Sequence, residues 1–235
     1  MKISTYSKPL PALILFTVGI LLGITLSVLA VWADYEAASY GFANRASAPL
    51  PGLSCPILMT NNEHQTVSLK IINRTDQVIS PTVRTDISTP LVAETTSEFL
   101  ELAAGESRLL KWTVGPQNID LGQFIFVNAL AFSSYPVPDR ENTCGIFVLP
   151  VGGSGKLILI LATIISVLSI TGGAYLLQKS SLPGKQTRPS VFLAIVTLLT
   201  LTVSFLGLWI QGIFLLVITI LLIFTILSLL LGQNI

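Results

Sequence analysis

The sequence predicts an integral membrane protein with four transmembrane α-helices and one all-β sandwich between the first helix and the second. Three observations support this prediction. Of the 235 residues, 51% are hydrophobic and 11% are charged, whereas soluble domains carry about 25% charged residues. Four uncharged stretches have the length of about 20 residues that a helix needs to cross a bilayer. Between the first two stretches, polar and apolar residues alternate as they do in β-strands.

Charge is distributed unevenly along the chain. All 12 acidic residues lie between Asp34 and Glu141, and seven basic residues lie in the same region. The basic residues outside this region are Lys2, Lys8, Lys156, Lys179, Lys185 and Arg188. No run of like charge indicates nucleic-acid binding.

The four predicted spans are residues 11–32, 157–177, 191–209 and 212–231. Only two residues separate the last two spans. Read as one helix, they would be about twice as long as the bilayer is thick. We therefore predict a tight helical hairpin, with Trp209 and Gln211 at the membrane interface.

Orientation follows from the tendency of short Lys- and Arg-rich loops to stay in the cytoplasm. Basic residues precede the first span and follow the second, so both places are expected on the cytoplasmic side of a plasma (inner) membrane. Residues 33–156 are then extracytoplasmic, and the cytoplasmic parts are 1–10, 178–190 and 232–235. An alternative for the first span is a signal peptide cleaved before Asp34, although its apolar run of about 22 residues exceeds the usual h-region.

The outer region begins with residues 33–54, whose Ala, Ser, Gly and Pro content predicts a linker. From Cys55 the pattern has period two, and Val67, Leu69 and Ile71 share one face of a strand. Seven or eight short strands predict an immunoglobulin (Ig)-like antiparallel sandwich over residues 55–150. Candidate strands are 55–59, 66–71, 79–87, 91–94, 99–102, 110–114, 124–132 and 144–149. Pro81 would place its strand at a sheet edge or a bulge.

Three segments of the outer region follow a common turn-and-strand pattern: INRTD (72–76), LAAGES (102–107) and WTV (112–114). This pattern resembles the bacterial Ig-like domains of cell-surface and membrane-anchored proteins. The resemblance implies a fold for the outer region but no activity, and it names no family for the whole chain.

Cys55 and Cys144 both lie in the outer region. An even cysteine count in an oxidising compartment predicts a disulfide, and two buried free thiols are the alternative. The last strand must run toward Lys156 and the membrane, so a bond to Cys144 makes the strand of Cys55 parallel to the last strand. Three turns then lie together at the far end of the sandwich, at residues 73–76, 104–106 and 133–143.

Loops at the end of a rigid sandwich often bind partners. The candidate partner contacts are Arg74, Asp76, Tyr135, Asp139, Arg140 and Glu141, and a solvated charged turn is the alternative. Small residues at Gly-x-x-x-Gly spacing let helices approach closely. The candidate packing residues are Gly19, Gly23 and Ser27 on the first span and Ser169 and Gly173 on the second. Their partner could be another span of this chain or another protein.

No catalytic residue, cofactor or metal site is predicted. The only histidine is His64, and one His cannot form a zinc site. Residues 152–156 (GGSGK) resemble the end of a phosphate-binding loop but lack its first Gly and its following Ser or Thr. We therefore interpret residues 151–156 as a flexible tether. The spans contain no ionisable residue, and ion-coupled transport usually requires such residues.

These observations favour a non-catalytic, membrane-anchored surface protein or an accessory subunit of a membrane complex, with an Ig-like domain that contacts other proteins. The alternative is a small transport or signal-sensing membrane component. The expected partners are the lipid bilayer and other membrane proteins or further copies of this chain, and not nucleic acid.

Overall fold

The computed structural model describes residues 10–42, 46, 48–132, 138–179 and 187–232. The chain divides into two compact units. The helical unit comprises Met1–Val31 and Leu159–Ile235, and the sandwich unit comprises Trp32–Ile158.

Four α-helices occur in the described residues, and three of them are long and apolar enough to cross a membrane over Leu10–Ser39, Gly155–Lys179 and Trp209–Ser228. The apolar part of the remaining helix, Pro189–Phe205, is shorter. Four spans are therefore not confirmed. The helix bounds are α1 Leu10–Ser39, α2 Gly155–Lys179, α3 Thr187–Phe205 and α4 Trp209–Gly232.

The hairpin between α3 and α4 turns earlier than predicted. Its turn lies at residues 206–208, so Trp209 begins α4 instead of ending α3. Gly207 has φ +71°, a conformation that glycine adopts without steric cost. The N–H of Leu208 donates to the carbonyl of Val203, which is the hydrogen bond that closes a helix end of the Schellman type.

The predicted linker 33–54 is partly helical and partly strand. α1 continues to Ser39, because residues 33–39 contain no Gly or Pro and include alanine, the strongest helix former. Further on, Ala48–Pro49 and Leu53–Ser54 pair with other strands. The linker predicted from composition is therefore corrected for residues 33–39, 48–49 and 53–54, which lie in a helix or in strands.

Two sheets form the sandwich. Their strands are β1 Ala48–Pro49, β2 Leu53–Ser54, β3 Leu58–Thr60, β4 Gln65–Ile72, β5 Thr82–Ile87, β6 Glu94–Phe99, β7 Ser107–Val114, β8 Phe124–Phe132 and β9 Arg140–Leu149. In the larger sheet the order is β1-β9-β8-β5-β6, with β3 also paired to β9, and in the smaller it is β2-β4-β7. The smaller sheet's pairs and most of the larger sheet's pairs are antiparallel, but β1 and β3 run parallel to β9. The parallel arrangement of the first and last strands agrees with the expectation.

Two predictions about single strands are wrong. The candidate strands 91–94 and 99–102 are replaced by one strand, β6, which lies between them. Pro81 does not mark an edge, since β5 lies between β8 and β6. The strand begins one residue after Pro81, so the missing N–H of proline falls outside the ladder.

The core lies between the two sheets and is made of the alternating apolar positions that the sequence indicates. Val67, Leu69 and Ile71 of β4 are all buried in it. Cys55 and Cys144 pack against the same core and form a disulfide with their Cα atoms 6.3 Å apart. The disulfide thus links β9 to the segment between β2 and β3 at the edge of the core.

Candidate functional site

One end of the sandwich carries the turns that the sequence singles out. β4 ends and β7 begins there, with Ile72 opposite Ser107. β8 ends and β9 begins there too, with Ala131 opposite Arg140. We call this end the groove end, because a cavity of about 340 Å³ opens between these strand ends.

The groove is apolar with a basic rim. Among the residues that the structure describes, the groove lining contains three basic side chains and no acidic one. This lining is Leu50, Pro51, Gly52, Lys70, Ile71, Ile72, Asn73, Arg74, Thr75, Ile79, Pro81, Ala131, Phe132, Pro138 and Arg140. Such a lining attracts groups of negative charge and accepts apolar side chains.

Asn73 holds the wall of this groove in place. Its side chain is buried, and Nδ2 donates to the carbonyl oxygens of Gln77 at 2.7 Å and of Leu102 and Ala103 at 3.0 Å. Oδ1 accepts from the amide of Thr75 at 2.9 Å. Sequence reasoning took Asn73 as a turn residue only, whereas the structure shows that one amide side chain ties two turns together.

Two of the six predicted partner contacts line the groove. Arg74 and Arg140 are both exposed on its wall. Asp76 and Asp139 are exposed but do not line it. Tyr135 lies outside the described residues.

Glu141 has a structural role. Its Oε1 accepts from Asn128 Nδ2 at 2.6 Å, and its Oε2 accepts from the amide of Ala46 at 3.1 Å. Its backbone lies opposite Pro49 in the parallel pair of β1 and β9. Both its side chain and its backbone therefore hold the segment that climbs along β9.

At the opposite end of the strands, Glu63 fixes the beginning of α2. Its carboxylate accepts from Ser154 Oγ at 3.0 Å and from the amide of Gly155 at 2.8 Å. The first amides of a helix lack partners within it and carry partial positive charge, so a carboxylate is well placed there. Burial pushes the pKa of Glu63 upward, but hydrogen bonds from Gly155, Gln65, Ser154 and Thr60 outweigh it and hold the pKa below 4.5.

The last residues of the predicted tether are hydrogen-bonded to the sandwich. Thr60 Oγ1 donates to the carbonyl of Gly153 at 2.8 Å. A β-carbon on Gly155 would lie 2.6 Å from the carbonyl oxygen of Leu58, which shows how closely the chain passes β3. Gly155 permits this close approach, whereas a β-carbon on Gly152 or Gly153 would meet no atom within 4 Å.

The end of α1 covers the outer face of the larger sheet. A β-carbon on Gly145 would lie 1.9 Å from the carbonyl oxygen of Ala33, and the Gly145 amide donates to Asp34 Oδ1 at 3.0 Å. The ring of Trp32 lies 5.3 Å from that of Phe124 in an edge-on contact. This packing was not foreseen, because residues 33–39 were assigned to the linker.

Beyond α1, Tyr40 extends the same covering layer. Its ring lies 4.4 Å from that of Phe126, and its hydroxyl hydrogen-bonds to Asp120. Burial, the hydrogen bond and the negative charge of Asp120 raise the pKa of Tyr40 to about 12. Tyr40 therefore remains a neutral donor at physiological pH.

In the helical unit, the small residues predicted for packing lie between α1 and α2. A β-carbon on Gly19 would come within 2.6 Å of the Ile170 amide nitrogen, and one on Gly173 within 2.7 Å of the Phe16 Cα. Ser166 Oγ donates to the Gly19 carbonyl at 2.9 Å. Of the remaining candidates, Gly23 lies against Ser166 and Thr197, Ser169 against Gly19, and Ser27 is buried with its hydroxyl on Gly23. The partner of α1 here is another helix of the same chain.

In the described part of the chain, no group of three His, Cys, Asp or Glu side chains lies close enough to hold a metal ion. His64 packs against the position of Gly115, where an added β-carbon would meet its ring at 2.5 Å.

Comparison with known proteins gives no family. No protein-family model matches the chain, and no curated protein matches it. Among solved structures, a CARDB domain from Pyrococcus furiosus in complex with di-metal ions is 14% identical with a TM-score of 0.35, over 43% of this chain and 91% of that one. A cycloisomaltooligosaccharide glucanotransferase from Paenibacillus is 14% identical with a TM-score of 0.33, over 43% of this chain and 14% of that one.

A third similar structure is a β-glucosidase from Listeria innocua in complex with glucose, 15% identical with a TM-score of 0.29 over 41% of this chain and 16% of that one. The chain thus spans less than a fifth of the two enzymes. These TM-scores are too low to carry an argument about function. The two-sheet sandwich rests on the pairing of its own strands, and its Ig-like type stays a prediction.

Proposed function

We propose that this chain is a non-catalytic, membrane-anchored accessory or surface protein whose sandwich unit binds a partner protein at the groove end. The observation that carries the proposal is a groove whose described lining has three basic residues and no acidic one. Its chemistry fits a partner segment that combines apolar side chains with carboxylates.

The proposed orientation has residues 33–156 outside the cytoplasm and four helices in the membrane. The disulfide between Cys55 and Cys144 suits an oxidising compartment. Lys179, Lys185 and Arg188 lie between α2 and α3 or at their ends, as expected for a cytoplasmic loop. α3 is the span that is not confirmed. It begins at Thr187, and in the proposed arrangement its polar first turn lies at the membrane interface.

The alternative is a small transport or signal-sensing component. Buried hydroxyls on the helices could support it, but in the described helices they serve packing. Thr197 Oγ1 donates to the carbonyl of Leu193 at 2.8 Å, and Thr200 Oγ1 donates to that of Val196 at 2.8 Å. Hydroxyls bonded in this way satisfy themselves on their own helix. A solute flux in liposomes containing only this chain would place the alternative first.

The test is capture of partners from native membranes in mild detergent, with the charge-reversal variant Arg74→Glu/Arg140→Glu. We expect recovery of the wild-type partner to fall at least about tenfold, since about 1.4 kcal/mol of lost attraction has that effect. Lys111→Glu is the matched control, because Lys111 is an exposed cation of β7 outside the groove lining. Equal recovery by the double variant, or recovery of no other protein by the wild type, would contradict the proposal.

A further inference from the structure

The end of the sandwich opposite the groove presents aliphatic side chains to the surroundings from three loops. Leu91 and Val92 lie in the loop between β5 and β6 and are 94% and 78% exposed. Leu121, in the turn before β8, is 61% exposed, and Val151, after β9, is 44% exposed. We call these four residues the apolar base.

The strand register shows that these loops share one end of the sheet. Ile87 at the end of β5 lies opposite Val127, and Val127 lies opposite Cys144. The loop that holds Leu91 therefore continues in the direction in which β9 runs. The Val148 amide donates to the Gln123 carbonyl at 2.8 Å, which places the turn of Leu121 beside the last residues of β9.

α2 begins at this same end. Only residues 150–154 separate β9 from Gly155, the first residue of α2, and Glu63 holds that first turn in place. The uncharged stretch predicted to cross the membrane begins at Leu157. This residue lies only about 3 Å from Gly155 along the helix axis, since each residue of a helix advances about 1.5 Å. The chain therefore leaves the sandwich unit for the predicted span at the end that carries the apolar base.

The exposed side chain of Leu121 lies in a turn with a strained backbone. Among the described residues other than glycine, it alone has a positive φ, of 47°, a conformation that costs about 1 kcal/mol or more for a residue with a β-carbon. The Leu121 amide donates to Asp120 Oδ1 at 2.7 Å. This turn holds a large aliphatic side chain outward at an energetic cost instead of folding it into the core.

We infer that the apolar base inserts into the interfacial region of the lipid bilayer, so that the sandwich unit rests on the membrane surface. Shallow insertion of aliphatic side chains into the headgroup region is a known mode of membrane attachment. Trp32, which is 41% exposed and begins the part of α1 in the sandwich unit, suits the same interface, where Trp is enriched. The inference rests on the proposed membrane anchoring but not on the partner of the groove.

The experiment places the photoreactive residue p-benzoylphenylalanine singly at positions 91, 92 and 121 of the full chain, reconstituted in phosphatidylcholine vesicles. Position 78 is the matched control, because Val78 is an aliphatic residue, 60% exposed, in a loop at the groove end. Position 164 reports on anchoring, because Ile164 is an exposed residue of α2. After illumination, lipid adducts are measured by mass spectrometry.

We expect lipid adducts at positions 91, 92 and 121 to exceed those at position 78 at least about fivefold, as interfacial insertion requires. Adducts at position 164 with only the control level at 91, 92 and 121 would overturn this inference and leave the membrane anchoring intact. Control-level adducts at position 164 as well would overturn the anchoring itself. Crosslinks from position 91 to protein instead of lipid would show that the base is a protein interface.

Discussion

Substitution of Gly145 by alanine tests whether the end of α1 belongs to the sandwich unit. The added β-carbon would lie 1.9 Å from the Ala33 carbonyl oxygen and 2.9 Å from the Asp34 amide nitrogen. A carbon–oxygen contact normally measures about 3.3 Å or more. Backbone must therefore move by more than roughly 1 Å on one side of the contact, because no flexible side chain lies between.

The size of the effect follows from what that movement disrupts. Overpacking of a close-packed contact costs about 1–3 kcal/mol. The hydrogen bond from the Gly145 amide to Asp34 would lengthen, and a buried donor left without a partner costs about 1–3 kcal/mol. Since the two losses share one cause and are not additive, we expect Gly145→Ala to lower the free energy of unfolding by about 2–4 kcal/mol.

The assay is denaturant unfolding of the full chain in mild detergent, followed by tryptophan fluorescence. Trp32 is a direct reporter, because its ring packs against Phe124 and Phe147. Gly152→Ala is the matched control, since its β-carbon would meet no atom within 4 Å, and we expect a change below about 0.5 kcal/mol. A Gly145→Ala protein as stable as this control would refute the packing of α1 on β9.

Three further predictions concern other contacts. Glu63→Gln should lower the free energy of unfolding by about 1 kcal/mol at neutral pH. Because the pKa of Glu63 is lowered in the folded protein, this difference should vanish as the pH falls through the lowered pKa. A difference in unfolding midpoint that does not change with pH would contradict this prediction. Gly207→Ala should lower the free energy of unfolding by about 1 kcal/mol, because Gly207 has φ +71°. Gly172→Ala should be tolerated, because its β-carbon would lie 3.7 Å from the nearest atom. Equal losses of stability in denaturant unfolding would count against the turn. Replacing Cys55 and Cys144 by serine should lower stability by about 2–4 kcal/mol, and unchanged thermal unfolding would argue against the disulfide.

Patterns among neighbouring residues were sufficient to predict those elements whose buried positions repeat with one period or form one long apolar run. The alternation of Val67, Leu69 and Ile71 predicted the buried face of β4, which the structure shows. Long uncharged runs likewise predicted α1, α2 and α4 as helices able to cross a membrane. In each case the burial of one strand face, or the length of one apolar run, determines the element. Both properties can be read from residues that are neighbours in the sequence.

Sequence reasoning was less successful where a contact joins distant parts of the chain. The sequence analysis assigns no role to Glu63, because its role depends on a hydrogen bond from Gly155, which is distant in the sequence. The groove brings together residues of β4, β8 and β9 from the two sheets, and of its basic lining the sequence analysis names only Arg74 and Arg140. No spacing rule relates Lys70 to these two residues, since their proximity depends on the strand order.

The covering of the larger sheet by α1 did leave signals in the sequence. Residues 124–130 of β8 are all buried, and their run of mostly apolar letters without alternation is typical of a strand buried on both faces. Ala33 and Ala37 lie four residues apart, and so on one side of a helix, with 0% and 1% exposure. A strand buried on both faces requires another element packed on its outer face. A helix with small residues on one side can lie close to a sheet at a glycine such as Gly145. Composition suggested a linker because alanine is small, but it is this smallness that lets the helix end lie against the strand.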